Sequence, residues 1–195
     1  SLEVIVDGRY IGATDVVLDP AEPNILYAAT YDRIRRPWSF TTAGPGSGIY
    51  KTTDGGTTWH KLTTGLPSGM LGRIGLALYP KNPGILYATV DNQNSSGVSD
   101  SVRYEELRAG KRPGKPTVGH VIYRTDDGGT RWRQVSPEDQ SIGGRSNYYA
   151  QIIVDPNDEN HVYVLSTRVI ESTDGGKTWR KAFRYAGDNH ALWIN

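Results

Sequence analysis

Thr52-Thr53-Asp54-Gly55-Gly56-Thr57-Thr58-Trp59 returns as Thr125-Asp126-Asp127-Gly128-Gly129-Thr130-Arg131-Trp132 and again as Ser172-Thr173-Asp174-Gly175-Gly176-Lys177-Thr178-Trp179. The shared pattern is Ser/Thr-x-Asp-x-Gly-x-Thr-Trp, and only Arg131 departs from it. Each residue type suits a turn between two strands. An Asp carboxylate can accept bonds from turn amides. The second glycine (Gly56, Gly129, Gly176) supplies a backbone shape that a side chain penalises. The tryptophan (Trp59, Trp132, Trp179) covers the turn and opens the next strand.

A second element precedes each copy. Val17-Leu18-Asp19-Pro20 leads to Ile25-Leu26-Tyr27-Ala28, Ala77-Leu78-Tyr79-Pro80 to Ile85-Leu86-Tyr87-Ala88, and Ile153-Val154-Asp155-Pro156 to Val162-Tyr163-Val164-Leu165. Each proline stands seven residues before its tyrosine. Proline cannot continue a ladder, so these segments punctuate two strands, A and B. The octapeptide then joins strands C and D. Four short strands in a period of roughly 40 to 45 residues are the length of a propeller blade. The expected fold is all-β: a β-propeller of four-stranded antiparallel blades. The expected boundaries are blade 1 at about 10–63 with an insert at 31–47, blade 2 at about 70–136 with an insert at 91–120, and blade 3 at about 145–184. Residues 188–195 read as the start of a fourth blade. Ser1 is no initiator, and Asn195 closes an apolar run, so the chain reads as a piece of a larger propeller with no signal peptide of its own.

Composition narrows the function. The 195 residues carry 22 Lys plus Arg and 21 Asp plus Glu. That balance excludes a protein tracking a polyphosphate backbone, so no nucleic-acid partner is expected. The absence of cysteine removes disulfides, thiolate metal sites and cysteine nucleophiles together. No apolar run approaches the length of a membrane span. Gly 23, Pro 11, Tyr 12 and Trp 5 describe a turn-rich, aromatic chain. Histidines at 60, 120, 161 and 190 are scattered, so neither a metal nor another cofactor is expected.

The octapeptide resembles the Asp-box, or bacterial neuraminidase repeat, of sialidases, xyloglucan-hydrolysing glycosidases and sortilin-type receptors. A broader likeness rests on Arg35-Arg36-Pro37-Trp38-Ser39-Phe40, Gly44-Pro45-Gly46-Ser47-Gly48-Ile49-Tyr50-Lys51, Gly65-Leu66-Pro67, Gly72-Arg73-Ile74-Gly75-Leu76 and Asn189-His190-Ala191-Leu192-Trp193-Ile194. It is similar to large exported bacterial proteins labelled sortilin-like or glycosyl-hydrolase-like repeat proteins. That resemblance implies an extracellular or periplasmic location and a longer parent chain.

The repeats themselves build turns. Asp54, Asp127 and Asp174 invite a catalytic or calcium reading, but copies spread around a rim cannot converge. Function is sought instead in the B–C and D–A loops, which emerge together on the opposite face. The first B–C loop carries Arg33, Arg35, Arg36 and Trp38. Arginine pairs with carboxylates or phosphates and tryptophan stacks on sugars or peptides; alternatively Trp38 plugs a blade junction. The D–A loops carry Arg73, Arg145, Tyr148 and Tyr149, either an anion-binding rim or a set of ties between blades. Asp100, Glu105, Glu106, Asp188 and His190 are the weak catalytic candidates. Residues 100–109 read as a short helix followed by a basic stretch, Arg108, Lys111, Arg112 and Lys115. Gly110 to Lys115 lacks the spacing of a phosphate loop, and Gly44-x-Gly46-x-Gly48 lacks the helix of a dinucleotide site.

Three functions fit. The first is a module binding a glycan or peptide through the B–C and D–A loops. The second is a sialidase- or xyloglucanase-like glycoside hydrolase, which needs two loop carboxylates about 5 to 10 Å apart. The third is a structural or assembly scaffold. Three blades form an open arc, so the remaining blades of the parent propeller, or another copy, are the expected protein partners.

Overall fold

The computed structural model describes residues 2–111, 114–137, 142, 147–183 and 187–194. Fifteen strands are present among them: β1 (Val4–Val6), β2 (Arg9–Leu18), β3 (Leu26–Tyr31), β4 (Ile34–Arg36), β5 (Ser39–Thr41), β6 (Gly48–Thr52), β7 (His60–Leu62), β8 (Leu71–Leu78), β9 (Leu86–Ser95), β10 (Thr117–Thr125), β11 (Arg133–Gln134), β12 (Ile152–Asp155), β13 (Asp158–Val164), β14 (Ile170–Ser172) and β15 (Arg180–Lys181). A single helix, α1 (Asp100–Arg108), lies between β9 and β10. The sheets run β1-β2-β3-β6-β7, β8-β9-β10-β11 and β12-β13-β14-β15, all antiparallel, with β4-β5 a separate hairpin. Three successive meanders are therefore three blades, with strands A to D at β2-β3-β6-β7, β8 to β11 and β12 to β15. The Asp7-Gly8 turn, both residues at positive φ, adds β1 outside strand A of the first blade. That hairpin lies outside the repeat, and the repeat gives no hint of it.

The A-to-B turns close as the Asp-Pro signal requires. Asp19 Oδ1 accepts from the amides of Ala21 and Glu22 at 2.8 and 3.2 Å. The Tyr79 amide donates to the Ile85 carbonyl at 3.0 Å. Strand B of blade 2 is sandwiched on both faces; every residue from Leu86 to Asn92 is buried. The hydrophobic cores accordingly lie between blades. One joins Tyr27, Ala29 and Ile49 of blade 1 to Ile74, Leu76 and Trp132 of blade 2. The other joins Tyr87 and Ile122 of blade 2 to Ile152, Val154 and Val162 of blade 3. Val16 of β2 pairs with Ala28 as Leu76 of β8 pairs with Ala88, yet Val16 is 56% exposed and Leu76 4%. No described blade covers that face of blade 1.

The three octapeptides repeat one hydrogen-bond scheme. Thr52 Oγ1 donates to Asp54 Oδ1 at 2.7 Å and accepts from the Gly56 amide at 3.0 Å. Asp54 accepts the Thr58 amide and, at 2.6 Å, the Thr58 hydroxyl. Thr125–Asp127–Gly129 and Ser172–Asp174–Gly176 repeat the first part. Both glycines of each copy have positive φ, so two consecutive left-handed residues make the turn. Thr58 side chain and amide, then Thr52, hold the Asp54 carboxyl well below the usual carboxylate range. Burial pushes Asp174 up, but bonds from Thr178, Ser172 and Lys177 outweigh it and hold the group at about 2. Arg131 leaves Asp127 without the hydroxyl bond of the other copies, and the Arg131 amide still donates at 2.9 Å.

The blades are latched by matching side chains. Tyr27 Oη and Lys51 Nζ both donate to the Gly128 carbonyl of the next blade, at 3.0 and 2.8 Å. At the second junction Tyr87 Oη donates to the Glu159 carbonyl at 2.7 Å. Arg124, in the position of Lys51, reaches Glu159 Oε1 and Asn160 Oδ1 at 3.0 and 2.8 Å. Trp132 is buried at the first junction, whereas Trp59 is only half-buried.

Candidate functional site on the loop face

The end of strand B in blade 1 sets up the site. Asp32, buried, accepts from the Gly46 amide at 3.2 Å and pairs with Arg9 at 3.2 Å; its own amide donates to Ser47 Oγ. Thr30 Oγ1 donates to the Gly46 carbonyl at 2.7 Å. These bonds pinch the neck of the first insert, so β4-β5 projects as a hairpin with Pro37 and Trp38 at its tip. Trp38 is 78% exposed, so it plugs no junction between the described blades. Arg35 lies over the Phe40 ring at 5.7 Å.

The start of strand A in blade 2 supplies the opposite wall. Arg73 Nη1 donates to the Tyr148 carbonyl at 2.9 Å, a bond that crosses to the segment leading into blade 3. Arg73 and Arg33 then line one open cleft of about 420 Å³ with Tyr10, Thr14, Tyr31 and Asn147. Asn147 also lines a second cleft, of about 390 Å³, with Arg35, Arg36, Phe40 and Tyr148. Asn147 is the residue the two linings share. The described ion pairs of arginine involve Arg9, Arg103, Arg108, Arg124, Arg133 and Arg180. Arg33, Arg35, Arg36 and Arg73 have no acidic partner among the described residues.

Two titratable groups missed by sequence reading feel the charge of Arg73, and one of them, Tyr31, lines the cleft. Burial pushes the Tyr31 phenol up; Arg33 and Arg73 oppose that and Asp91 adds to it. Burial also raises the Asp15 carboxyl, against the amides of Leu76 and Val16 and the charge of Arg73. Asp15 sits at a bulge in β2, and its Oδ2 accepts from the Leu76 amide at 2.8 Å. No local motif marks either residue. Only the packing of blade 1 against blade 2 brings them beside Arg73.

The other candidates disperse. On α1, Asp100 pairs with Arg103 at 3.0 Å, Glu105 with Arg108 at 4.0 Å, and Glu106 accepts the Gly114 amide at 2.8 Å. Two of those acids pair within the helix, and Glu106 ties it to its own loop. Tyr148 is exposed, while Tyr149 is buried with its ring 4.9 Å from that of His190. Asp188 has φ 48° and stands in the same terminal segment. Arg145, and Arg112 of the basic stretch, lie outside the described residues. Among the described residues no three His, Asp or Glu side chains converge as a metal site requires. Asp91 and His120, opposite each other across β9 and β10, form a buried pair at 4.0 Å. Burial lowers the His120 imidazole, with Asp91 and the Ile142 backbone opposing and Lys115 assisting.

The BNR/Asp-box repeat family matches residues 50–61 and 170–181, the first and third octapeptides. The second copy, with Arg131 in the threonine position, lies outside the match. No curated protein is a sequence match. Among solved structures, the GH74 enzyme of Niastella koreensis aligns over 88% of this chain and 25% of its own, with TM-score 0.56 and 16% identity. The GH74 xyloglucanase from Xanthomonas campestris aligns over 86% and 21%, with TM-score 0.52 and 16% identity. YCF48 bound to D1 peptide aligns over 90% and 42%, with TM-score 0.50 and 15% identity. This chain thus spans less than half the length of each. The likenesses are of fold, and with the repeats they show a BNR/Asp-box β-propeller arc. No helix among the described residues is long and apolar enough to cross a membrane.

Proposed function

We propose that this chain is part of a ligand-binding propeller module that holds a glycan across its B–C and D–A loops. One observation carries the reading: Arg33 of blade 1 and Arg73 of blade 2 line a single cleft that shares Asn147 with a second bearing Arg35, Phe40 and Tyr148. Exposed Tyr10, Trp38 and Tyr148 give rings on which sugar faces can stack, and the arginines and Asn147 give donors for hydroxyl and charged groups. One structure of similar fold is a xyloglucanase and another has a D1 peptide bound; the exposed rings favour the sugar. The hydrolase reading is the weaker one, because Asp100, Glu105 and Glu106 are engaged on their own helix and loop. An exported setting, as in the sortilin-like repeat proteins, belongs to the same proposal. So does the docking of remaining blades on the exposed Val16 and Leu18 face.

The test is affinity electrophoresis of the full-length protein through a polysaccharide panel, run beside a reducing-end assay. Retardation by one polysaccharide, relieved by W38A or Y148A with no reducing ends released, is the expected result. Reducing-end release that disappears in E106Q would replace binding with hydrolysis. Retardation untouched by either aromatic substitution would move the site elsewhere.

A further inference from the structure

We propose that the Arg33–Arg73–Tyr31 corner of the cleft is a carboxylate subsite, and that the glycan presents a uronic acid there. The inference rests on the glycan reading above and narrows it to an acidic sugar. Arg33 and Arg73 come from different blades and form no ion pair among the described residues, although Asp15 feels the charge of Arg73, so two guanidinium groups are left to face one cleft. One Arg73 nitrogen is spent on the Tyr148 carbonyl, which fixes the side chain and leaves the rest of its fork open. The Arg33 guanidinium lies 5.9 Å from the Tyr31 ring centre.

Tyr31 is the second, independent observation. The residue is 5% exposed and lines the same cleft, and its hydroxyl has no hydrogen-bond partner among the described residues. A buried hydroxyl is rarely left unpaired, and this one feels the charges of Arg33, Arg73 and Asp91. An anion between the arginines would give that O–H an acceptor. The nearby carboxylates are occupied otherwise. Asp15 accepts the Leu76 amide, Asp32 pairs with Arg9, and Asp91 Oδ1 accepts from Gln93 Nε2 at 2.6 Å. A planar two-oxygen group suits a guanidinium fork plus one phenol donor. Exposed Tyr10 and Thr14 beside it offer a ring and a hydroxyl to the sugar that bears the acid.

The experiment is calorimetric titration of the full-length protein with a panel of uronate oligomers (galacturonate, mannuronate and glucuronate-containing), their methyl esters, neutral oligosaccharides and oligoglutamate. Binding of one uronate oligomer, weakened about tenfold or more by esterification and equally by R33Q or R73Q, is expected. Y31F should weaken it several-fold. Arg73 also ties two blades, so R33Q, whose side chain is exposed, carries the test if R73Q melts early. A neutral oligosaccharide that binds as well as the uronate, lost in W38A but not in R33Q, overturns the subsite while leaving the glycan reading intact. Oligoglutamate binding without uronate binding overturns both. Failure of every uronate oligomer to bind overturns the subsite outright.

Discussion

Replacing Arg124 by methionine should separate the two blade junctions energetically. The Arg124 side chain is 7% exposed and donates Nε to Asp126 at 2.7 Å, Nη1 to Tyr87 Oη at 2.6 Å and to Asn160 at 2.8 Å, and Nη2 to Glu159 at 3.0 Å. Burial works against its charge, but the bonds to Asp126 and Glu159 prevail and raise its pKa. Removing one partner of a fully buried ion pair costs about 3 to 5 kcal/mol, because the other charge is stranded. Here Asp126 and Glu159 are 44% and 40% exposed, so water and Arg133 take over part of the loss. Tyr87 keeps its bond to the Glu159 carbonyl. The expected cost of R124M is therefore about 2 to 3 kcal/mol. Lys51, in the matching position, makes one bond to the Gly128 carbonyl at 2.8 Å and lies 5.2 Å from the Tyr27 ring centre. K51M should cost about 1 kcal/mol. Urea unfolding with a shared m-value measures both, and the cycle of R124M with E159Q isolates the pair. R124M costing no more than K51M would refute the argument, because the second latch would then gain nothing from its carboxylates.

A methyl group at Gly75 would overlap the Ala150 carbonyl oxygen far inside van der Waals contact, with the carbonyl carbon 2.8 Å away. G75A should destabilise by about 3 kcal/mol, read as a lowered urea midpoint, whereas G12A, which meets open space, should be tolerated. Asp174 is held at about 2 in the fold, against about 3.9 unfolded. Its contribution is present above the unfolded value and disappears as pH falls from about 4 to about 2. Acid titration followed by tryptophan fluorescence should show D174N less stable than the parent at neutral pH, with a shallower loss across that window.

How much was legible in the sequence follows from where each signal is encoded. The octapeptide writes its own turn: the Thr/Ser–Asp–Gly bonds span two to four residues, so spacing alone determines them. The prolines likewise mark the A-to-B turns from within. Blade order and strand order follow, because each meander is local. The cleft is different. Arg33 and Arg73 stand forty residues apart in sequence, and each looks like any loop arginine until β3 and β8 are laid side by side. Composition pointed to Arg35, Arg36 and Trp38 because arginines and an aromatic crowd one segment there. Tyr31 and Asp15 carried no such mark. Tyr31 ends an apolar strand as an ordinary core tyrosine would, and only the absence of a partner for its hydroxyl among the described residues sets it apart. The acids of α1 misled for the opposite reason: Asp100, Glu105 and Glu106 are close in sequence, and that closeness is what lets Arg103, Arg108 and Gly114 engage them. In a repeat fold the residues free to bind ligand are those whose neighbours come from another blade, because local partners tend to be used up in building the repeat. Arg73 illustrates the rule, since its one described hydrogen bond goes to Tyr148, beyond its own blade.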